Sequence, residues 1–284
     1  MTVVPPVASA ATQPDIERVR QALANRFAVV KALESDSEIE RYLARDIRGE
    51  SVHLKVLSTR AANDALAREL FYRSAQAASK LSHMNILTTG SAQQEHGVDF
   101  CIVEHKQETQ PLSDLLDRNG WFDVKVAAGV ADQIASALDH AHLTGVLHLA
   151  IQPKCILIEP DGWVTISGFG IEANRLSLRP QGPLAPYASP EQLKGGTVDH
   201  RSDLYSLGAV LYEMLTDRTP FDSNDADYVR RKQDSFTPSP PHLISMDVPE
   251  PVSNVVMKLL EREPARRFGS ASAFQTALDN AVSY

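Results

Sequence analysis

The sequence predicts an α+β fold of two lobes, an N-terminal antiparallel β-sheet lobe carrying one main helix and a C-terminal helical lobe. Short segments rich in Val, Ile, Leu and Tyr alternate with turns from Phe27 to Val103, as the strands of a sheet do. After Leu112 the pattern changes to long stretches with apolar residues at three- and four-residue spacing, the period of helices that bury one face. A hydrophobic content of 43% over 284 residues is enough to fill the core of one large domain.

Residues 1–13, MTVVPPVASAATQ, carry neither period and read as a flexible lead. Pro14-Asp15 then opens IERVRQALANRF, where Ile16, Val19, Leu23 and Phe27 form a helical stripe. Residues 1–26 are therefore expected to be a lead and an accessory helix outside the domain proper. In the sheet lobe, 27–103, FAVVKAL, RYLARD, VHLKVL, ILTTGS and DFCIVE are the strand candidates, and ALARELFYRSAQAASKL is the helix that interrupts them. In the helical lobe, 104–284, KVAAGVADQIASALDHAHL, SDLYSLGAVLYEML, PVSNVVMKLLERE and SASAFQTALDNAV are the helices. Between the first two lie CILIEP and VTISG, short strands joined at Asp161-Gly162, a strong hairpin signal.

Charge and composition exclude several classes. A formal net charge of -8 offers no basic face for phosphate neutralisation, so a nucleic-acid partner is not expected. Cys101 and Cys155 lie far apart without C-x-x-C spacing, so two free thiols in a reducing compartment are expected, with no disulfide or zinc site. No apolar run reaches the ~18 residues of a membrane span, and the first residues lack a secretory pattern. The expectation is a cytoplasmic protein, with a membrane link only if the protein continues beyond Tyr284.

The second lobe also carries HLTGVLHLAIQPKCILI, VTISGFGI, YASPEQL, HRSDLYSLGAVLYEMLTDRTPF and EREPARRF, in that order. These blocks resemble the catalytic loop, magnesium segment, activation-segment end, central helix and last-helix junction of bacterial Ser/Thr protein kinases of the eukaryotic type. The resemblance spans roughly residues 27–280 and implies a protein-kinase-like fold that holds ATP between its lobes. It also implies a role for each matching residue, and many of those residues have changed.

Lys55 matches the strand lysine that holds nucleotide phosphates, but the helix glutamate that pairs with it aligns with Ser74. A strand lysine with its head in solvent or on another acid is the alternative reading of Lys55. The catalytic His-Arg-Asp reads His148-Leu149-Ala150, and a methyl group accepts no proton. Gln152 replaces the catalytic-loop lysine, Cys155 the metal-binding asparagine and Gly168 the magnesium aspartate, so the oxygen ligands that magnesium requires are gone. Glu34, Asp36 and Ile39 take the glycine positions of the phosphate loop, with Glu38 and Glu40 nearby. Their side chains would block backbone approach and their charge would repel a polyanion; a solvated acidic edge is the other reading. His53 and Arg41 replace the small alanine and valine that roof the base, and strand alternation sends His53 the same way as Lys55.

What remains unchanged matches positions with structural roles in the family: His148, Phe169, Asp203, and the Glu191 and Arg267 ion pair. Leu184 stands where the family has a threonine near the aspartate, and the arginine before that aspartate is also missing from His148-Leu149-Ala150, so a phosphate in this segment, as on Ser177, would find no receptor. The reading is a pseudokinase, not an enzyme, with no cofactor and no ATP binding, that acts as a scaffold or regulator for a protein partner such as a kinase or regulatory protein. The competing readings are a metal-independent nucleotide sensor and a very weak, unconventional Ser/Thr kinase.

Overall fold

The computed structural model describes residues 15–33, 35–169 and 180–283. The chain divides into two compact units, one of Met1–Ser79 and Thr88–His105, the other of Lys80–Leu87 and Lys106–Tyr284.

In the first unit, helix α1 (Ile16–Leu23) starts at Asp15, whose carboxylate caps it by accepting from the Arg18 amide. Strands β1 (Phe27–Ala32), β2 (Ile39–Asp46) and β3 (Ser51–Leu57) follow as an antiparallel meander. The short helix α2 (Thr59–Ala62) and the longer α3 (Ala65–Ala78) come next, each capped by the side chain before it, Ser58 and Asp64. Strands β4 (Gln93–Glu95) and β5 (Val98–Glu104) complete a sheet of order β1-β2-β3-β5-β4. Register decides what each face does. Tyr42 stands opposite Leu54, and Leu54 opposite Ile102, on the face that packs with Val19 and Leu23 of α1. Arg41, Lys55 and Cys101 form a row on the other face, with Leu43, His53 and Val103 beside it.

One expected strand is absent. ILTTGS divides at the boundary between the units: Ile86 bridges Ile166 within the second, and Thr89 bridges Val103 within the first. Too few residues remain on either side to build a ladder, and the edge strand of the sheet is instead the polar Gln93–Glu95.

After Lys106 the second unit carries the two-residue strand β6 (Gln110–Pro111) and helix α4 (Leu112–Asn119). Helix α5 (Val124–Leu143) buries the small residues Ala127, Ala131, Ala135 and Ala141 with Ile134 and Leu138. Strands β7 (Ile156–Ile158) and β8 (Val164–Ile166) pair as the expected hairpin, with Gly162 in the left-handed region at φ 87° and the Asp161 carboxylate accepting from the Trp163 amide. Then come α6 (Pro190–Leu193), α7 (His200–Thr216), α8 (Ala226–Ser235), α9 (Glu250–Leu259) and α10 (Ala271–Val282). Helix α7 is buried on nearly every face from Ser202 to Thr216, which makes it the axis of this unit. Gly208 allows that: a Cβ there would lie 2.6 Å from the Leu259 Cβ of α9. Among the described residues, no helix is long and apolar enough to cross a membrane.

Candidate functional site

In the second unit the residues of interest sit in the loop from Val146 to Cys155 and at the end of β8. Asp203, fully buried in α7, takes the loop backbone: its carboxylate accepts from the amides of His148 at 2.9 Å and Leu149 at 2.6 Å, and bonds His142 Nε2 at 2.8 Å. Burial alone would raise the Asp203 pKa, but these donors outweigh it and hold the carboxyl below its usual range. Leu149 is thereby held at φ 60°, with its carbonyl accepting from Gln192 of α6 at 2.8 Å. His148 is fully buried; Nδ1 accepts from the Ala150 amide, so Nε2 carries the hydrogen and donates to the Ser167 carbonyl at 3.0 Å. Its ring meets Phe169 edge-on, centroids 4.7 Å apart.

Ala150 is 4% exposed and ends in a methyl group, so this position supplies no base. The Cys155 thiol points back into the loop, donating to the carbonyls of Gln152 at 3.0 Å and Ala150 at 3.7 Å. It therefore staples the turn. Gln152 contributes its backbone to that staple, accepting and donating at the same sulfur. Gly168 is buried at φ 98°, where L side chains are strained. A thiol engaged with carbonyls and a glycine do not make the oxygen donor set that magnesium needs, so the residues at these positions do not fit that ion. Glu191 and Arg267 meet as a fork, 2.7 and 2.8 Å, and the guanidinium also donates to the carbonyls of Arg201, Glu261 and Arg262.

In the first unit, Lys55 is 7% exposed and shares its face with Arg41 and His53. Helix α3 presents Ser74 half-buried, and a hydroxyl there cannot carry an ion pair with a lysine. In the acidic hairpin, Asp36 and Glu40 are each engaged by neighbouring groups. Asp36 closes the turn by accepting from the amides of Glu38 and Ile39, and its second oxygen pairs with Arg41 at 3.1 Å. Glu40 turns to the opposite face, 6% exposed, where Arg18 of α1 and the Tyr42 hydroxyl both bond its carboxylate. Two of the expected repelling charges are thus compensated locally, and Arg41 is drawn toward the turn. Glu34 and Ser177 lie outside the described residues.

His53 has a partner the sequence did not reveal. Its Nε2 lies 3.1 Å from His105 Nδ1, with ring centroids 4.7 Å apart. Burial, then His105 and Lys55, lower the His53 pKa to about 4, so His53 is neutral near pH 7. The residues are 52 apart, and no short-range pattern links them. His142 and Gln192, which fix the loop around Leu149, were missed for the same reason.

A family model described as the protein kinase domain matches residues 39–278. The chain belongs to the protein kinase family. Within it, this kinase domain is 32% identical over 93% of its length to the Ser/Thr-protein kinase PrkC of Bacillus subtilis, and 32% identical over 91% to the Ser/Thr-protein kinase PknB of Mycolicibacterium smegmatis. It spans about two fifths of the length of these curated relatives, 41% and 43%. The crystal structure of the Mycobacterium tuberculosis PknI kinase domain superposes with a TM-score of 0.72 at 25% identity, covering 90% of this chain and 96% of that one.

These matches correct the expectation that the chain is not an enzyme. Bacterial relatives between 26% and 32% identical, aligned over most of the chain, are named Ser/Thr protein kinases. These names point to an enzyme rather than to a catalytically dead domain.

Proposed function

We propose that this kinase domain is an unconventional protein Ser/Thr kinase that acts chiefly by docking a protein partner and transfers phosphate slowly, with weak nucleotide binding that magnesium does not strengthen. The observation that carries this reading is the catalytic-loop position itself, where Ala150 is buried without a carboxylate and the Cys155 thiol is committed to loop carbonyls. A general base contributes roughly 10²–10⁴-fold to such reactions. Gly168 and Cys155 supply no magnesium oxygen ligand, and Ser74 offers no charge to orient a phosphate-bound Lys55. The structural residues, by contrast, are all engaged: Asp203 on the loop amides, and Glu191 on Arg267.

Radiolabelled transfer to a basic protein acceptor tests this. Kinases with a full set of groups turn over at about 1–100 per second. The expected rate for this chain is slower by roughly 10²–10⁴-fold and insensitive to magnesium above the concentration that saturates ATP. A magnesium-dependent rate of about 1 per second or more would contradict the proposal.

A further inference from the structure

On the second unit, away from the loop of Ala150, a groove of about 710 Å³ opens between the end of α8, the segment that follows it, α9 and the turn before Arg267. Its lining interleaves apolar and aromatic residues, among them Tyr205, Phe221, Phe236, Pro238 and Met257, with polar and charged ones. Phe236 is 57% exposed, a large ring left in water at the groove edge.

Polar groups in the wall are incompletely used. Gln233 is 3% exposed, and its amide is fixed because Nε2 donates to the Ala188 carbonyl at 2.8 Å and to the Tyr205 hydroxyl at 3.0 Å. That leaves Gln233 Oε1 buried with no donor among the described residues. A buried acceptor without a donor is a standing cost that an incoming N–H removes. Around the rim, Lys232, Lys258 and Arg262 have no carboxylate partner among the described residues. Lys232 lies 4.5 Å from the Phe236 ring centroid and Lys258 4.4 Å from that of Phe268, so both ammonium groups are held at the surface. Glu263 is already paired with Arg266 at 3.2 Å, and Glu261 is the one lining carboxylate without a cation partner among the described residues, so three cations stand against one free acid. On a chain of net charge -8 this is a local excess of unpaired cations beside an exposed aromatic.

We infer that this groove docks a polypeptide segment that combines acidic and bulky apolar side chains. Apolar side chains of such a segment enter between Phe236 and Met257, its carboxylates meet Lys232, Lys258 and Arg262, and a backbone N–H reaches toward Gln233 Oε1. The inference deepens the proposed docking role and rests on the reading of the chain as a protein-binding domain.

The test is fluorescence anisotropy of the whole chain with a labelled dodecapeptide of Asp, Glu, Leu and Phe, against a control with Lys and Arg in place of the acids. The acidic peptide is expected to bind saturably with a Kd of about 1–100 μM, more weakly as salt is added. Phe236→Ala, and separately the pair Lys258→Glu with Arg262→Glu, should each weaken it by roughly tenfold or more at an unchanged thermal midpoint. No saturation by about 1 mM, equal binding of the control, or indifference to both variants would overturn the inference. The transfer assay separates the two claims. Fast magnesium-dependent transfer sinks the proposed function while leaving a positive titration standing; slow transfer with a flat titration sinks the groove alone.

Discussion

At position 168 the backbone itself restricts which side chain can stand there. Gly168 is buried at φ 98°, so Gly168→Asp adds a carboxylate in a strained conformation, and Ala150→Asp adds another at a site 4% exposed. Each change is expected to lower stability by about 1–3 kcal/mol in denaturant titration, and neither should raise the transfer rate more than about threefold, because each restores one group of an interdependent set. A rate gain of a hundredfold from either would show that the missing carboxylate alone limits the reaction. Titration at two other residues acts in opposite directions. His53, lowered to about 4 in the fold, favours the neutral form, so its contribution is complete above about 6.5 and is lost as pH falls toward 4. Glu213, raised to about 7 by burial and by Asp217, Asp117 and Asp222 despite the Tyr187 hydroxyl at 2.8 Å, favours the protonated form. Its contribution is complete below about 4.5 and is lost as pH rises toward 7. The two oppose each other between these limits. Thermal midpoints across pH 4–7 should therefore fall more steeply with rising pH in His53→Ala and rise more steeply in Glu213→Gln than in the parent. Parallel profiles for all three proteins would refute these assignments.

Among the elements, those with a clean period were legible and those held by partners far along the chain were not. Helices α5, α7, α9 and α10 repeat apolar residues at helical spacing, and each forms where the spacing places it. Helix α8 buries only Ala226, Val229 and Gln233, and so polar a segment carries little periodic signal. ILTTGS has strand composition, yet its backbone divides between two units. In the site, the chemistry that Ala150, Cys155 and Gly168 cannot supply follows from residue identity alone. What the carboxylates of the β1–β2 hairpin do could not be read in this way, because Arg18 lies 22 residues from Glu40 and belongs to a different element. Packing of α7 against α9 gives the direct test at this scale. Gly208→Ala places a Cβ 2.6 Å from the Leu259 Cβ, closer than nonbonded carbons approach, and should cost about 1–3 kcal/mol in the urea midpoint. An unchanged midpoint would mean that the two helices separate more freely than their contact implies.

For the whole molecule, the fold and the reacting groups point to different degrees of change. The fork of Glu191 and Arg267, the Asp203 clasp on the loop and the edge contact of His148 with Phe169 are all formed, on the side chains to which the sequence reading gave structural roles. Removing one member of a buried ion pair costs about 3–5 kcal/mol, which is reason enough for such groups to persist when the fold must persist. No comparable penalty holds a base or a metal ligand in place, and the positions the sequence reading assigns to those roles hold Ala150, Cys155 and Gly168. The sequence suggested a domain without activity, whereas the relatives are named Ser/Thr protein kinases; the proposal of slow transfer and docking answers to both. Isothermal titration of ATP into the unmodified chain, with and without magnesium, bears most directly on this account. It predicts a dissociation constant of about 1 mM or weaker in both titrations, with no gain from the metal. A micromolar dissociation constant that appears only with magnesium would contradict it.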